Sequence, residues 1–257
     1  MVHVRALPGA PGFCGDFQTV LTAAIADAKS LAAGGADAVM IENFFDTPFP
    51  RDASPPVTVS HLTAVAVAVA AEVSLPLGIN LLRNDSIGAL AVAQACGAKF
   101  IRVNVLSGTR ITDQGMIHGE AYALLRERQR CGANRIGIAA DVDVKHSSPV
   151  TARPIEEEAL ELIERAGADA LIVSGSATGK ATDVEDLLRV RNACVDAFIM
   201  VGSGVQKDNV RQLAEHCDAV IVGSSLKAGD RIDSPVDPEK VASLVDCLRF
   251  ASGPKAR

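Results

Sequence analysis

The chain has no tryptophan and a single tyrosine, and aromatic residues make up only 4% of its 257 positions. A core of this size therefore has to be filled by Ala, Val, Ile and Leu, which is how parallel-sheet α/β proteins fill theirs. Basic residues are also short, with 25 Lys and Arg against 31 Asp and Glu and a net charge of −6. Without a basic excess to neutralise phosphates along a backbone, nucleic acid is not an expected partner, although a local positive pocket still is. No uncharged apolar run is long enough to cross a bilayer, since residues 61–71 are rich in Ala and Val but too few. The first 20 residues lack the basic and apolar segments of a signal peptide. Six cysteines, Cys14, Cys96, Cys131, Cys194, Cys217 and Cys247, contain no CxxC pair, which favours reduced and partly buried thiols. The expectation is a cytoplasmic protein that is not transmembrane, built as one domain over 1–257.

What the chain does have is a repeated phrase. It reads Gly35-Ala-Asp-Ala-Val-Met-Ile, then Gly97-Ala-Lys-Phe-Ile-Arg-Val, Gly132-Ala-Asn-Arg-Ile-Gly-Ile and Gly167-Ala-Asp-Ala-Leu-Ile-Val, with a glycine-free version at Cys217-Asp-Ala-Val-Ile-Val. Each time a helical pattern stops at a glycine suited to the left-handed position after a helix, and an apolar strand follows. The pattern predicts strands over 2–7, 38–43, 77–82, 100–106, 136–142, 170–174, 198–201 and 219–222. It predicts helices over 16–33, 60–73, 85–96, 117–130, 155–165, 184–193, 207–215 and 238–251. Eight strands alternating with eight helices mean a doubly wound sheet or a closed (β/α)8 TIM barrel, and the absence of a break in strand order favours the barrel.

In a barrel the residues that do chemistry stand at the C-terminal ends of the strands. Here these are His3, then Glu42 and Asn43, then Asn80, Arg83 and Asp85, then Arg102 and Asn104, and finally Asp141, Lys145 and His146. Arg102 and Asn104 alternate with Phe100 onto one face, so they point into the barrel, where a buried guanidinium needs an anion. Glu42, Asp141 or a substrate phosphate or carboxylate would serve. Such a network can also exist only to satisfy itself. Lys145 on a loop would grip a phosphate, polarise a carbonyl or simply be solvated. His3, Glu42, Asp141 and His146 suit a divalent cation by chemistry, but no metal-ligand spacing assigns one, and no other cofactor is indicated.

Three small-residue loops follow strands six, seven and eight: Ser174, Gly175, Thr178 and Gly179 in the first, Gly202, Ser203 and Gly204 in the second, Gly223 and Ser224 in the third. Glycines let backbone N–H groups approach an anion, and a helix starting after each loop would turn its positive end toward it. A phosphate is the expected guest. The loops over 46–56 and 107–116 are long enough to act as lids or as subunit contacts, and the alanine-rich stretch 62–71 suits either a homo-oligomer contact or packing against the barrel.

With these residues assembled, the chain resembles the BtpA (BtpA/SgcQ) family over nearly its whole length. The resemblance is carried by His3 with Leu7-Pro-Gly-Ala-Pro11, Ala38-Val-Met-Ile-Glu-Asn43, Pro76-Leu-Gly-Ile-Asn-Leu-Leu-Arg-Asn-Asp85 and Phe100-Ile-Arg-Val-Asn104. Thr112-Asp-Gln-Gly115, Ala140-Asp-Val-Asp-Val-Lys-His146, Ala170-Leu-Ile-Val-Ser-Gly-Ser-Ala-Thr-Gly179 and Val201-Gly-Ser-Gly-Val205 extend it. The family is linked with photosystem I biogenesis and occurs in non-photosynthetic organisms, which implies a metabolic reaction on a phosphorylated sugar or nucleoside-like compound. Against its pattern an apolar stretch is expected ahead of His3, so the N-terminus reads as shortened. Two functions follow. One is an isomerase, aldolase or lyase acting on a small phosphorylated metabolite, with Glu42 or Asp141 moving a proton and Arg102, Asn104 and Lys145 stabilising the oxyanion. The other is a non-catalytic assembly or stability factor.

Overall fold

The computed structural model of the protein describes residues 1–175 and 182–251. Thr178 and Gly179 lie outside the described residues. Its elements run β1 (Val2–His3), α1 (Phe17–Ala33), β2 (Val39–Glu42), α2 (Pro56–Glu72), β3 (Leu77–Asn80), α3 (Ser86–Cys96) and β4 (Phe100–Val103), then β5 (Thr109–Thr112), β6 (Gly115–His118) and α4 (Ala121–Arg130). They continue through β7 (Gly137–Val142), β8 (Ser147–Pro149), α5 (Ile155–Glu164), β9 (Ala170–Val173), α6 (Val184–Ala193), β10 (Phe198–Val201), α7 (Val210–Ala214), β11 (Ala219–Val220) and α8 (Pro238–Ala251).

Eight of the strands pair in parallel in the order β1-β2-β3-β4-β7-β9-β10-β11. The sheet curls until its edges meet, where the Met1 amine donates to the Val222 carbonyl at 2.8 Å. The repeated turn works as its glycines require: Gly35, Gly97, Gly132 and Gly167 all have positive φ, between 65° and 87°, a conformation that only glycine adopts without strain. Aspartates start several helices. Asp16 accepts from the amides of Gln18 and Thr19, Asp85 from Gly88 and Asp183 from Glu185, each satisfying amide donors that the helix leaves open.

Two apolar layers result. The larger lies between sheet and helices and includes Val20, Leu31, Ile41, Leu62, Val65, Val69, Ile101, Ile138 and Leu171. Leu62, Val65, Ala66 and Val69 turn one face of α2 toward the barrel, while Val67 on the other face is 45% exposed. The smaller layer fills the barrel interior: Ala139, Ala170 and Ile172 pack with Phe100, Met200 and Ile221. Phe100 lies so flat against the neighbouring strand that a Cβ on Gly78 would stand 2.3 Å from its ring. This layer forms a floor beneath the polar residues.

Three expectations need correction. The helix predicted from residue 117 begins at Ala121, because Ile117 belongs to β6 and packs with Val105 and Val144. The predicted loop over 107–116 is mostly strand: β5 pairs antiparallel with β6 on one side and β8 on the other, forming a three-stranded sheet over the mouth. The helix predicted over 207–215 shrinks to Val210–Ala214. It starts well past Gly204, so its positive end adds nothing to that loop.

Candidate functional site

The site stands on the floor layer and is built from the last residue of each strand and the loop beyond it. Arg102, from β4, points inward and meets Asp141, from β7. Its Nε donates to Oδ2 at 2.9 Å and its Nη2 to Oδ1 at 2.7 Å, with the two side chains 3% and 0% exposed. Asn104 Nδ2 donates to Oδ2 at 2.9 Å, and the Ser174 hydroxyl donates to Oδ1 at 3.2 Å. Asn80 Nδ2 supports the group by donating to Asn104 Oδ1 and to the Arg102 carbonyl. Asp141 raises the Arg102 guanidinium above its ordinary value despite burial. With two oxygens taking four donors, Asp141 has no free lone pair directed at a ligand. These bonds fit an anchoring role for Asp141 better than the expected one of base or metal ligand.

Glu42 contrasts with it. It is 6% exposed, yet no described residue donates a hydrogen bond to its carboxylate, and its one close ionic neighbour is His3 Nε2 at 4.0 Å. Burial holds the His3 imidazole well below its usual range, with nearby positive charges adding to the effect, so His3 is neutral. Its Nδ1 is buried without a described partner, as is Asn80 Oδ1. Gly223 is required beside it, since a Cβ there would stand 2.7 Å from His3 Cε1.

Lys145 lies on the loop after β7, half-buried. Burial, then the charge of Arg102, lowers its ammonium below the ordinary lysine value against the opposing pull of Glu42 and Asp141. Arg83 sits beside it and donates to the Lys145 carbonyl at 2.7 Å. Burial also lowers Arg83, while Asp141, Asp113 and Glu42 oppose the shift. The inner ring thus holds the cations Arg83, Arg102 and Lys145 against the carboxylates Glu42 and Asp141, which favours an anionic ligand. His146 follows on the same loop, exposed, and burial, then the charges of Lys145 and Arg83, lowers its imidazole below the ordinary value.

Two predicted mouth residues turn out to hold loops. Asn43 accepts from the Leu82 amide at 2.7 Å and donates to Asp46, which accepts from the Leu7 amide. Asp85 accepts from the amides of Ser54 and Gly88, tying the 46–56 loop to the start of α3.

Among the small-residue loops, Ser203 is buried, and its hydroxyl accepts from the Gly175 amide at 3.1 Å. The amides of Ser203 and Gly204 donate to no described residue, and neither does that of Ser224, which opens a single 3-10 turn, Ser224–Leu226. These donors are available to an anion. Gly202 has a packing duty too, because a Cβ there would stand 2.4 Å from Ser174 Oγ and 3.5 Å from Arg102 Nη2.

A cavity of ≈ 340 Å³ opens beside Asn104 and Asp141 and runs beneath the three-stranded sheet to Arg110, Arg153 and Glu158. Arg110 is 7% exposed and bridges Asp143 and Glu158. These three cavity residues are absent from the sequence-based site, since Arg110 sits in a stretch that reads as loop and Arg153 and Glu158 flank a helix start. No group of three or more His, Cys, Asp or Glu able to hold a metal gathers among the described residues. The six cysteines are free thiols. No described helix is long and apolar enough to cross a membrane.

Solved structures with this architecture include one described as native KDPGal, at a TM-score of 0.55 and 17% identity over 88% of each chain. Another is N-(5'-phosphoribosyl)anthranilate isomerase from Pyrococcus furiosus, at 0.56 and 15%, covering 88% of this chain and 95% of that one. Orotidine 5'-phosphate decarboxylase from Pyrococcus horikoshii matches at 0.56 and 13%, over 89% and 94%. At such identities the likeness establishes the fold alone, a TIM barrel. Sequence relatives are much nearer. The Photosystem I biogenesis protein BtpA of Synechocystis is 41% identical over 257 residues, all of this chain and 88% of its own length. An uncharacterized protein of Thermococcus kodakarensis is 46% identical over 249 residues, 97% of this chain and 94% of its own. The BtpA family pattern itself matches residues 1–249, and the chain belongs to the BtpA family.

Proposed function

We propose that the protein is an enzyme that performs an isomerase, aldolase or lyase reaction on a small phosphorylated metabolite of sugar or nucleoside type. The observation that carries this reading is the contrast between its two buried carboxylates. Asp141 is saturated by Arg102, Asn104 and Ser174, as a structural group would be. Glu42 stands beside the Arg83, Arg102 and Lys145 ring with no described donor to its carboxylate, whose oxygens keep contact with the open mouth, so unlike Asp141 it has lone pairs left for a ligand. In this reading the phosphate sits on the free amides of the 202–204 and 223–224 loops, Glu42 transfers the proton and Lys145 meets the carbonyl oxygen or carbon. The barrel enzymes of similar fold act on phosphorylated compounds by name, which agrees with this assignment.

The test is thermal unfolding in the presence of sugar phosphates, nucleotides and inorganic phosphate, on the parent and on Ser224→Asp, which puts a carboxylate where the phosphate would lie. A phosphate ester present at 100 times its Kd raises stability by about 2.7 kcal/mol, and the variant should lose that gain. If no phosphate compound stabilises the parent, the reading fails.

A second reading, a non-catalytic assembly factor like the one the Synechocystis relative's name describes, draws on a different surface. Ile111 and Met116 are register partners in the three-stranded sheet, each 50% exposed, and Met116 with Val150, 55% exposed, forms part of the cavity rim. Exposed apolar side chains grouped in this way mark contact surfaces. That reading expects Ile111→Asp to abolish the biological role and Glu42→Gln to leave it intact; the enzyme reading expects the reverse.

A further inference from the structure

Lys145 has a position unlike that of the other lysines. In its loop Asp143, two residues before it, and His146, the next residue, have φ of 51° and 56°, a left-handed conformation that non-glycine residues rarely adopt. Such a residue persists only where its surroundings hold it. Arg83 supplies a clamp by donating to the Lys145 carbonyl. The loop therefore turns the side chain inward, where its ammonium feels Arg102, Glu42, Asp141 and Arg83, groups from four different strands or strand ends. No described residue holds its Nζ in a hydrogen bond or ion pair. Buried Lys227, in contrast, is fixed to Asp27 at 2.6 Å.

Its place around the ring argues against a phosphate grip. In the strand order, β9 separates β7 from β10 and β11, whose loops carry the free amides, while Glu42 stands on the far side on β2. A substrate with its phosphate at β10 and β11 would thus set its next carbons in the centre, between Lys145 and Glu42. Building on the function proposed above, we infer that Lys145 is a nucleophile that forms an imine with the carbonyl carbon of an aldehyde or ketone phosphate, with Glu42 shuttling the protons.

In the first step the Lys145 ammonium passes a proton to the Glu42 carboxylate, the freed Nζ lone pair forms a C–N bond and the carbonyl π pair moves to oxygen. That oxygen takes a proton from the Glu42 carboxyl, and Glu42 recovers one from the attached nitrogen. In the second step the C–O bond breaks as Glu42 protonates the departing hydroxyl, which leaves as water while nitrogen forms the C=N bond. One water is released and no oxidant or reductant is consumed. An amine does this only when unprotonated, and the burial and cationic neighbours described for Lys145 favour that state.

The experiment incubates the full chain with dihydroxyacetone phosphate or glycolaldehyde phosphate, adds sodium borohydride and maps modified peptides by mass. The expected product is one adduct per chain on Lys145, heavier by the mass of the probe less one oxygen. Trapping should fall at least tenfold in Lys145→Met, checked by thermal unfolding to be folded, and should also fall in Ser224→Asp. Trapping in Glu42→Gln should be slower while remaining at Lys145. Adducts spread over several lysines and unchanged in Lys145→Met would overturn the proposal, since they report surface glycation. Thermal stabilisation by the probe without an adduct at Lys145 would overturn the imine and leave the phosphate reading standing; absence of both would remove the two together.

Discussion

Removing the carboxylate from Asp27 should be among the most damaging single changes available outside the site. Lys227 is 2% exposed and donates from Nζ to Asp27 Oδ2 at 2.6 Å, and the Val236 amide donates to Oδ1 at 2.8 Å. Asp27→Ala leaves a buried ammonium and a buried amide without partners. Breaking one side of a buried pair costs about 3–5 kcal/mol, and a domain of this size loses roughly 2–4 °C of Tm per kcal/mol. A fall on the order of 10 °C is therefore expected, with a matching loss in urea unfolding. Replacing both partners at once, Asp27→Leu with Lys227→Met, removes the charges together, and such exchanges are often neutral or stabilising. The double variant should thus recover most of the loss despite the unpaired Val236 amide, which alone costs about 1–3 kcal/mol. If Asp27→Ala costs less than about 1 kcal/mol, or if the double variant is worse than either single one, the pair does not hold the segment after β11 to α1 as described.

Within the site, Asp141→Ala should destabilise the fold by about 3–5 kcal/mol, because Arg102 would be buried alone. Glu42→Gln should change stability by less than about 1 kcal/mol while abolishing turnover of any substrate found, and the two unfolding curves separate the roles. Gly78→Ala presses a methyl into the Phe100 ring and should cost about 1–3 kcal/mol through overpacking, with Phe100→Leu restoring part of it. His3 binds its proton less readily folded than unfolded, so the unfolded state holds more protons just below pH 6.5. Stability then falls as pH drops through 6.5 and the loss levels off below the folded pKa. His3→Gln should flatten that part of a stability-against-pH curve.

Much of the architecture was legible because turn chemistry and apolar runs agreed. The glycines at 35, 97, 132 and 167 marked four strand entries, and β10 matches its expected bounds residue for residue. The three-stranded sheet was hidden because its strands carry no apolar alternation: in Thr109–Thr112 the side chain turned inward is Arg110, and the exposed one is Ile111. Pairing of β5 with the distant β8 is a tertiary fact that local composition does not encode. The site was legible as a set of residues, since alternation in Phe100-Ile-Arg-Val-Asn104 sends Arg102 and Asn104 inward. Which carboxylate answers Arg102 was not, because Glu42 and Asp141 stand equally at strand ends and only the distance across the barrel distinguishes them. Lys227 was missed outright. A lysine on a loop reads as solvated, and its partner lies 200 residues earlier.

The floor of Phe100, Ala139, Ala170, Ile172, Met200 and Ile221 has one more consequence. It stoppers the lower end, so the barrel is a vessel with a single opening, and whatever is admitted must leave by the route it entered. A spent ligand then blocks the doorway until it departs, which makes it a competitor of the next arrival. On the proposed function, the three-stranded sheet over that doorway would bear on departure as much as on admission. Substitutions at Arg110 should accordingly alter the dwell time of a bound molecule together with its capture, a pairing that a through-channel would not impose.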